Sequence, residues 1–135
     1  MSLSKARITL VSVFLLFFVI QISAIIVVFC KGEIYSHEML KILLRLLVIY
    51  SVHFAVIFGG IFGQHVSGGH QAPKYAFSIA LFLSIIWNCL LCWRPLFFCF
   101  SINDTSASLL DYMNNVGSSS SILVAGALSF FFARR

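Results

Sequence analysis

The stretch KILLRLLVIYSVHFAVIFGGIFG, residues 41–63, decides the fold. It is long enough to cross the hydrocarbon core of a bilayer, which takes roughly 17 to 25 residues at about 1.5 Å each. Its only charges, Lys41 and Arg45, stand near its start. Its middle holds His53, among neighbours that leave no place for water. This is the pattern of a membrane span carrying one interior histidine.

Three more segments share the character. They are ITLVSVFLLFFVIQISAIIVVF (8–29), a stretch over 75–97 that begins YAFSIALFLSIIWNCLLCW, and SSSSILVAGALSFFFA (118–133). The last is the shortest and reaches spanning length only with Gly117 and its serines counted. The 135-residue chain is 61% hydrophobic and only 10% charged, with a mean hydropathy of +1.04. Soluble domains are roughly 25% charged. A soluble fold of this size cannot hide so much apolar surface, whereas a surface facing lipid has no need to. The expected fold is therefore all-α, a four-helix bundle of four transmembrane spans in a single transmembrane domain. The first span has a basic start, Lys5 and Arg7, but its apolar run is too long for a signal peptide. We read it as uncleaved.

The connections differ in kind. Residues 30–40 make a short polar loop, and 64–74, QHVSGGHQAPK, a glycine-rich one. Residues 101–117 form the one sizeable polar segment. Within it Asp104 or Thr105 is suited to cap a helix. Ile102, Leu109, Met113 and Val116 then fall on one face. That pattern predicts a short amphipathic interfacial helix over 104–116, between spans three and four. Pro95 is expected to end or kink span three. With both termini inside, the inner side carries Lys5, Arg7, Lys74, Arg134 and Arg135. The outer side carries Lys31, Lys41, Arg45, Arg94 and all four acids. The excess of inner basic residues favours cytoplasmic termini in an inner membrane. Arg45, near the outer end of its span, has room to snorkel outward. The dispersed charge excludes a nucleic-acid patch.

Small residues recur every fourth position. Span two has Ser51, Ala55, Gly59 and Gly63; span three has Ala76, Ala80 and Ser84; span four has Ser121, Ala125 and Ser129. Residues four apart share a helix face, and in lipid such faces let helices pack closely. They are the predicted helix-packing positions. Gln21, His53 and Asn88 form a second constellation, one polar group near the middle of each of three spans, with Arg45 two turns before His53. Polar groups at that depth turn inward. They are either hydrogen-bond glue or the lining of a polar path in which His53 titrates.

The cysteines give a third. Cys89-x-x-Cys92, with Cys30 and Cys99 also towards the outer side, resembles the thiol layout of the quinone-linked disulfide-forming membrane oxidoreductases. Here the CxxC lies inside an apolar helix, poorly placed for thiolate chemistry. Cys30 and Cys99 are a possible structural disulfide on an oxidising side. His65 and His70 lack a third ligand, so no metal is assigned. No catalytic triad, carboxylate pair, phosphate loop or dinucleotide fingerprint occurs, and no cofactor is implied.

The sequence therefore points to a small non-enzymatic membrane subunit whose partners are the bilayer and either copies of itself or a larger membrane complex. It would act as a homo-oligomer, pore-forming or not, or as an anchor. A small transporter or flippase using Gln21, His53 and Asn88 is the first alternative. A membrane thiol oxidoreductase is the second.

Overall fold

The computed structural model describes residues 3–62, 74–100 and 105–133. These form α1 (Leu3–Cys30), α2 (Ser36–Phe62), α3 (Lys74–Phe98) and α4 (Ser106–Ala133). All four helices are long and apolar enough to cross a membrane. They have 25 to 28 residues, or about 38–42 Å at 1.5 Å per residue. That exceeds a hydrocarbon core of about 30 Å.

Three of the four helices begin well before their predicted spans, and local chemistry explains two ends. At the start of α2, the Glu38 carboxylate accepts a hydrogen bond from the Tyr35 backbone N–H at 2.9 Å. This is the reciprocal half of a capping box, and it satisfies a donor the helix cannot. The same carboxylate accepts from the Ser106 hydroxyl at 2.6 Å, joining the first turns of α2 and α4. At the end of α1, Gly32 takes a φ of 76°. Its N–H donates to Phe29 O at 2.9 Å, and Glu33 N–H donates to Val28 O at 3.3 Å. This is a Schellman cap, which needs the left-handed region that glycine enters without a Cβ penalty.

Two expectations are corrected. No separate interfacial helix covers 104–116. Thr105 does cap a helix, its Oγ1 accepting from Ser108 N–H at 3.3 Å. That helix is α4, which continues unbroken through Gly117 and the four serines to Ala133. The serines stay helical because their hydroxyls turn back onto their own backbone: Ser119 donates to Asn115 O and Ser120 to Val116 O. Nor does Pro95 end α3, which runs on to Phe98. Proline forfeits one backbone N–H and crowds the carbonyl four residues back, a cost confined to one turn of the helix.

Each outer neighbour in the bundle is set by packing. α1 lies against α2 and α3, and α4 lies against α2 and α3. The order around the bundle is thus α1, α2, α4, α3, with α2 and α3 on a diagonal. Lys31 at the end of α1 reaches the Cys99 carbonyl just past α3, at 2.5 Å. The Arg7 guanidinium near the start of α1 sits 5.6 Å from the Phe132 ring near the end of α4. Consequently α1 and α3 run one way, and α2 and α4 the other. The core is filled by Leu10, Phe14, Leu46, Ile57, Trp87, Leu91, Met113 and Leu128. The outside is apolar as well: Leu16, Phe82 and Ile122 are 60%, 64% and 76% exposed. Such a surface is compatible with a small membrane protein, whose outside faces lipid.

Candidate functional site

The buried polar groups sort into two layers. In the first, Gln21 of α1 donates from Nε2 to the Tyr50 hydroxyl of α2 at 2.7 Å. The Tyr50 O–H in turn donates to Asn88 Oδ1 of α3 at 2.5 Å. Asn88 Nδ2 donates to the Ser84 carbonyl at 2.7 Å, and the Ser84 hydroxyl to Ala80 O at 2.6 Å. Gln21, Tyr50, Ser84 and Asn88 are all fully buried. One phenol therefore accepts from one helix and donates to another, spanning the diagonal between α2 and α3. Gln21 and Asn88 do meet, but through a residue that the polar pattern missed. Tyrosines suggest interfacial belts, and Tyr75, 87% exposed near the start of α3, fits that role. Tyr50 does not. Its signal is its position three residues before His53: a phenol near the centre of a span must find a partner for its O–H.

His53 belongs to the second layer, one turn along α2. It does not join the hydrogen-bonded chain. Its ring stacks on Phe14 with centroids 5.4 Å apart and planes at 23°, and lies 4.3 Å from Trp87. Nδ1 is 3.2 Å from the Ile49 carbonyl of its own helix. A proton on Nδ1 satisfies that contact and leaves Nε2 as an acceptor. The main chain at Ser121 of α4 approaches the ring, but no hydrogen bond closes on Nε2. Trp87 Nε1 and Gln21 Oε1 are likewise buried without a partner. The bundle centre is thus a polar chain that joins three helices beside an aromatic box around the His53 imidazole.

Arg45 stands apart from both layers. It is half-buried at the seam between α2 and α4, and its Nη2 donates to the Ser118 hydroxyl at 3.4 Å. Glu38 and Ser106 set the two helices level. Arg45 lies seven residues beyond Glu38, and Ser118 twelve beyond Ser106. The five-residue difference is about 7.5 Å at 1.5 Å per residue. The side chain therefore runs deeper into the bundle instead of snorkelling outward as expected.

The small-residue rows diverge. Ala76, Ala80 and Ser84 are buried along α3. Ser51, Ala55 and Gly59 of α2 are exposed, and Ser51 spends its hydroxyl on Val48 O at 2.7 Å. On α4, Ser121 and Ala125 are half-buried and Ser129 is exposed. Ser51, Ala55 and Gly59 do not pack against the other described helices, because Leu46, Tyr50, His53 and Ile57 take the opposite side of α2 inward. Gly117 supplies the close approach instead. A Cβ there would lie 2.6 Å from Ile49 Cδ1, whereas at Gly59 it would meet nothing within 4 Å. Gly63, His65, His70 and Asp104 lie outside the described residues.

All four cysteines are free. Cys99 turns inward and donates from Sγ to Pro95 O at 3.3 Å and Ala24 O at 3.4 Å, while Cys30 is exposed. They do not form the disulfide left open by the sequence. Burial pushes the Cys99 thiol above its ordinary range, against the pull of the Lys31 ammonium. Cys89 faces out and Cys92 faces in, so the CxxC thiols diverge on one helical turn. Among the described residues, no three His, Cys, Asp or Glu side chains gather as a metal set would. No family model matches the chain, and no curated protein or solved structure shows significant similarity to it.

Proposed function

We propose that this protein is a small, non-enzymatic integral membrane subunit that works by assembling with copies of itself or with a larger membrane complex. The observation that carries this reading is the exposed small-residue face of α2. Gly59 presents open space, and neither it nor Ala55 is used by the chain's own packing. A glycine inside a helix costs about 1 kcal/mol relative to alanine. That cost is offset when another helix approaches closely. The interior supports the same reading, because its main polar groups close on one another across three helices. The even number of spans puts both termini on one side, and Lys5 and Arg7 favour the cytoplasmic face of an inner membrane. Blue-native electrophoresis and cross-linking in lipid test the proposal. An assembly larger than the single chain is expected; a strict monomer with nothing co-purifying would sink it.

A second reading, a small transporter or flippase, rests on the unpartnered Gln21 Oε1, His53 Nε2 and Trp87 Nε1 at the centre. His53→Leu separates the two. A subunit that only assembles keeps its oligomer and its function, whereas a transporter keeps the oligomer and loses flux.

A further inference from the structure

The seam between α2 and α4 carries charge that is left uncompensated among the described residues. Among the described residues, Arg45 has a single hydrogen-bond partner, the Ser118 hydroxyl, and its Nε makes no hydrogen bond. No carboxylate pairs with it among the described residues. Asp111, on the exposed face of α4, lies five residues past Ser106, against seven from Glu38 to Arg45. The two Cα atoms are thus level along the bundle to about 3 Å. At nearly one depth the seam thus carries Arg45 on α2, with exposed Lys41 one turn nearer the helix start, and Asp111 on α4.

Both residues continue into rows at intervals of seven, which keep one helix face. On α2 the row is Arg45, Val52 and Gly59; on α4 it is Asp111, Ser118 and Ala125. The Arg45–Ser118 bond brings the rows side by side. Asn115, Ser118 and Ser119 are exposed on the same helix, the least apolar of the four. Lipid tails offer such groups no partners.

We propose that a second copy of this chain docks on the α2/α4 seam about a two-fold axis parallel to the bundle, pairing each Arg45 with the Asp111 of the other copy. A two-fold interface must be complementary to itself. Basic residues on one helix and an acid on the neighbouring parallel helix meet that requirement, since the rotation sets α2 of each copy against α4 of the other. A rotamer change at Arg45 swings its guanidinium from Ser118 to the level of Asp111. The pair then neutralises a charge that is costly within a span. Gly59, open in the single chain, becomes a site of close approach. This interface rests on the assembly reading above and names its partner and surface.

Mixed charge reversal tests it in the full-length chain. Arg45→Glu and Asp111→Arg, each expressed alone, set like charges together at both pairs and should lose the dimer band. Differently tagged, the two variants expressed together should recover it. In the mixed dimer the introduced carboxylate faces the introduced guanidinium at one pair, and the native Arg45 faces the native Asp111 at the other. Pairing within one chain predicts no recovery and overturns the proposal. In wild-type charge background with Cys30→Ser and Cys89→Ser, Val52→Cys should cross-link to its copy and Leu16→Cys on α1 should not. An oligomer that cross-links through Leu16→Cys and not Val52→Cys overturns this interface while leaving assembly standing. A monomer throughout removes both.

Discussion

Two rows of small residues with the same spacing have opposite fates. Ala76, Ala80 and Ser84 of α3 are buried, and Ala55 and Gly59 of α2 face outward. The difference teaches what such a row encodes. Small residues permit a close approach, but the large residues on the same helix decide which face turns inward. On α3 the row shares its side with Trp87 and Leu91; on α2, Tyr50, His53 and Ile57 lie on the side opposite the row.

Substitutions can break that comparison. The largest effect is expected at Ala80, which is fully buried. Ala80→Leu overpacks the bundle and should lower stability by about 2–3 kcal/mol, measured by denaturant titration in mixed micelles. Wild-type stability would mean that the α3 row has room to spare. Next is Tyr50→Phe, which leaves both the Gln21 amide and Asn88 Oδ1 without their shared partner. A loss of about 1–2 kcal/mol is expected by the same titration. If Gln21→Leu in the Tyr50→Phe background costs as much again as it does alone, the chain does not act as one unit.

On the outward row the sign reverses. Gly59→Ala should stabilise the isolated chain by up to about 1 kcal/mol, through helix propensity, because its Cβ would meet open space. Ala55→Leu should change the stability of the isolated chain by less than about 0.5 kcal/mol while weakening the assembly seen by cross-linking. Equal losses at Ala55 and Ala80 would erase the distinction between the rows. The smallest effect concerns the thiols. Maleimide should label exposed Cys30 in the folded chain at neutral pH. Cys99, buried and shifted upward, should lag behind and catch up only on unfolding.

The helices were legible because apolar length is a signal carried by composition alone. Their beginnings and junctions were not. The break expected near Gly117 rested on a shift from polar to apolar residues, but serines that bond their own backbone remain helical, and Ile49 fills the space over the glycine. The candidate site was half legible. Depth placed Gln21 and Asn88 together, yet depth alone does not say which way a side chain turns. His53 shares their depth, but one turn of helix separates it from Tyr50 and sets it between aromatic rings. Arg45 was expected to reach for the surface. The hydroxyl on α4 that draws it deeper becomes visible only when the two helices are set side by side.

The order of helices around the bundle bears on how the molecule is built. α2 and α3 are made one after the other, yet they occupy opposite corners and, among the described residues, are bridged by side chains such as Tyr50 and Asn88. Without α4, α1 would hold α2 and α3 as an open trough with one wall missing. α4 closes it, lying along both free edges at once. α4 thus acts as a keystone, joining two corners that the rest of the bundle holds together through α1 and a few side chains.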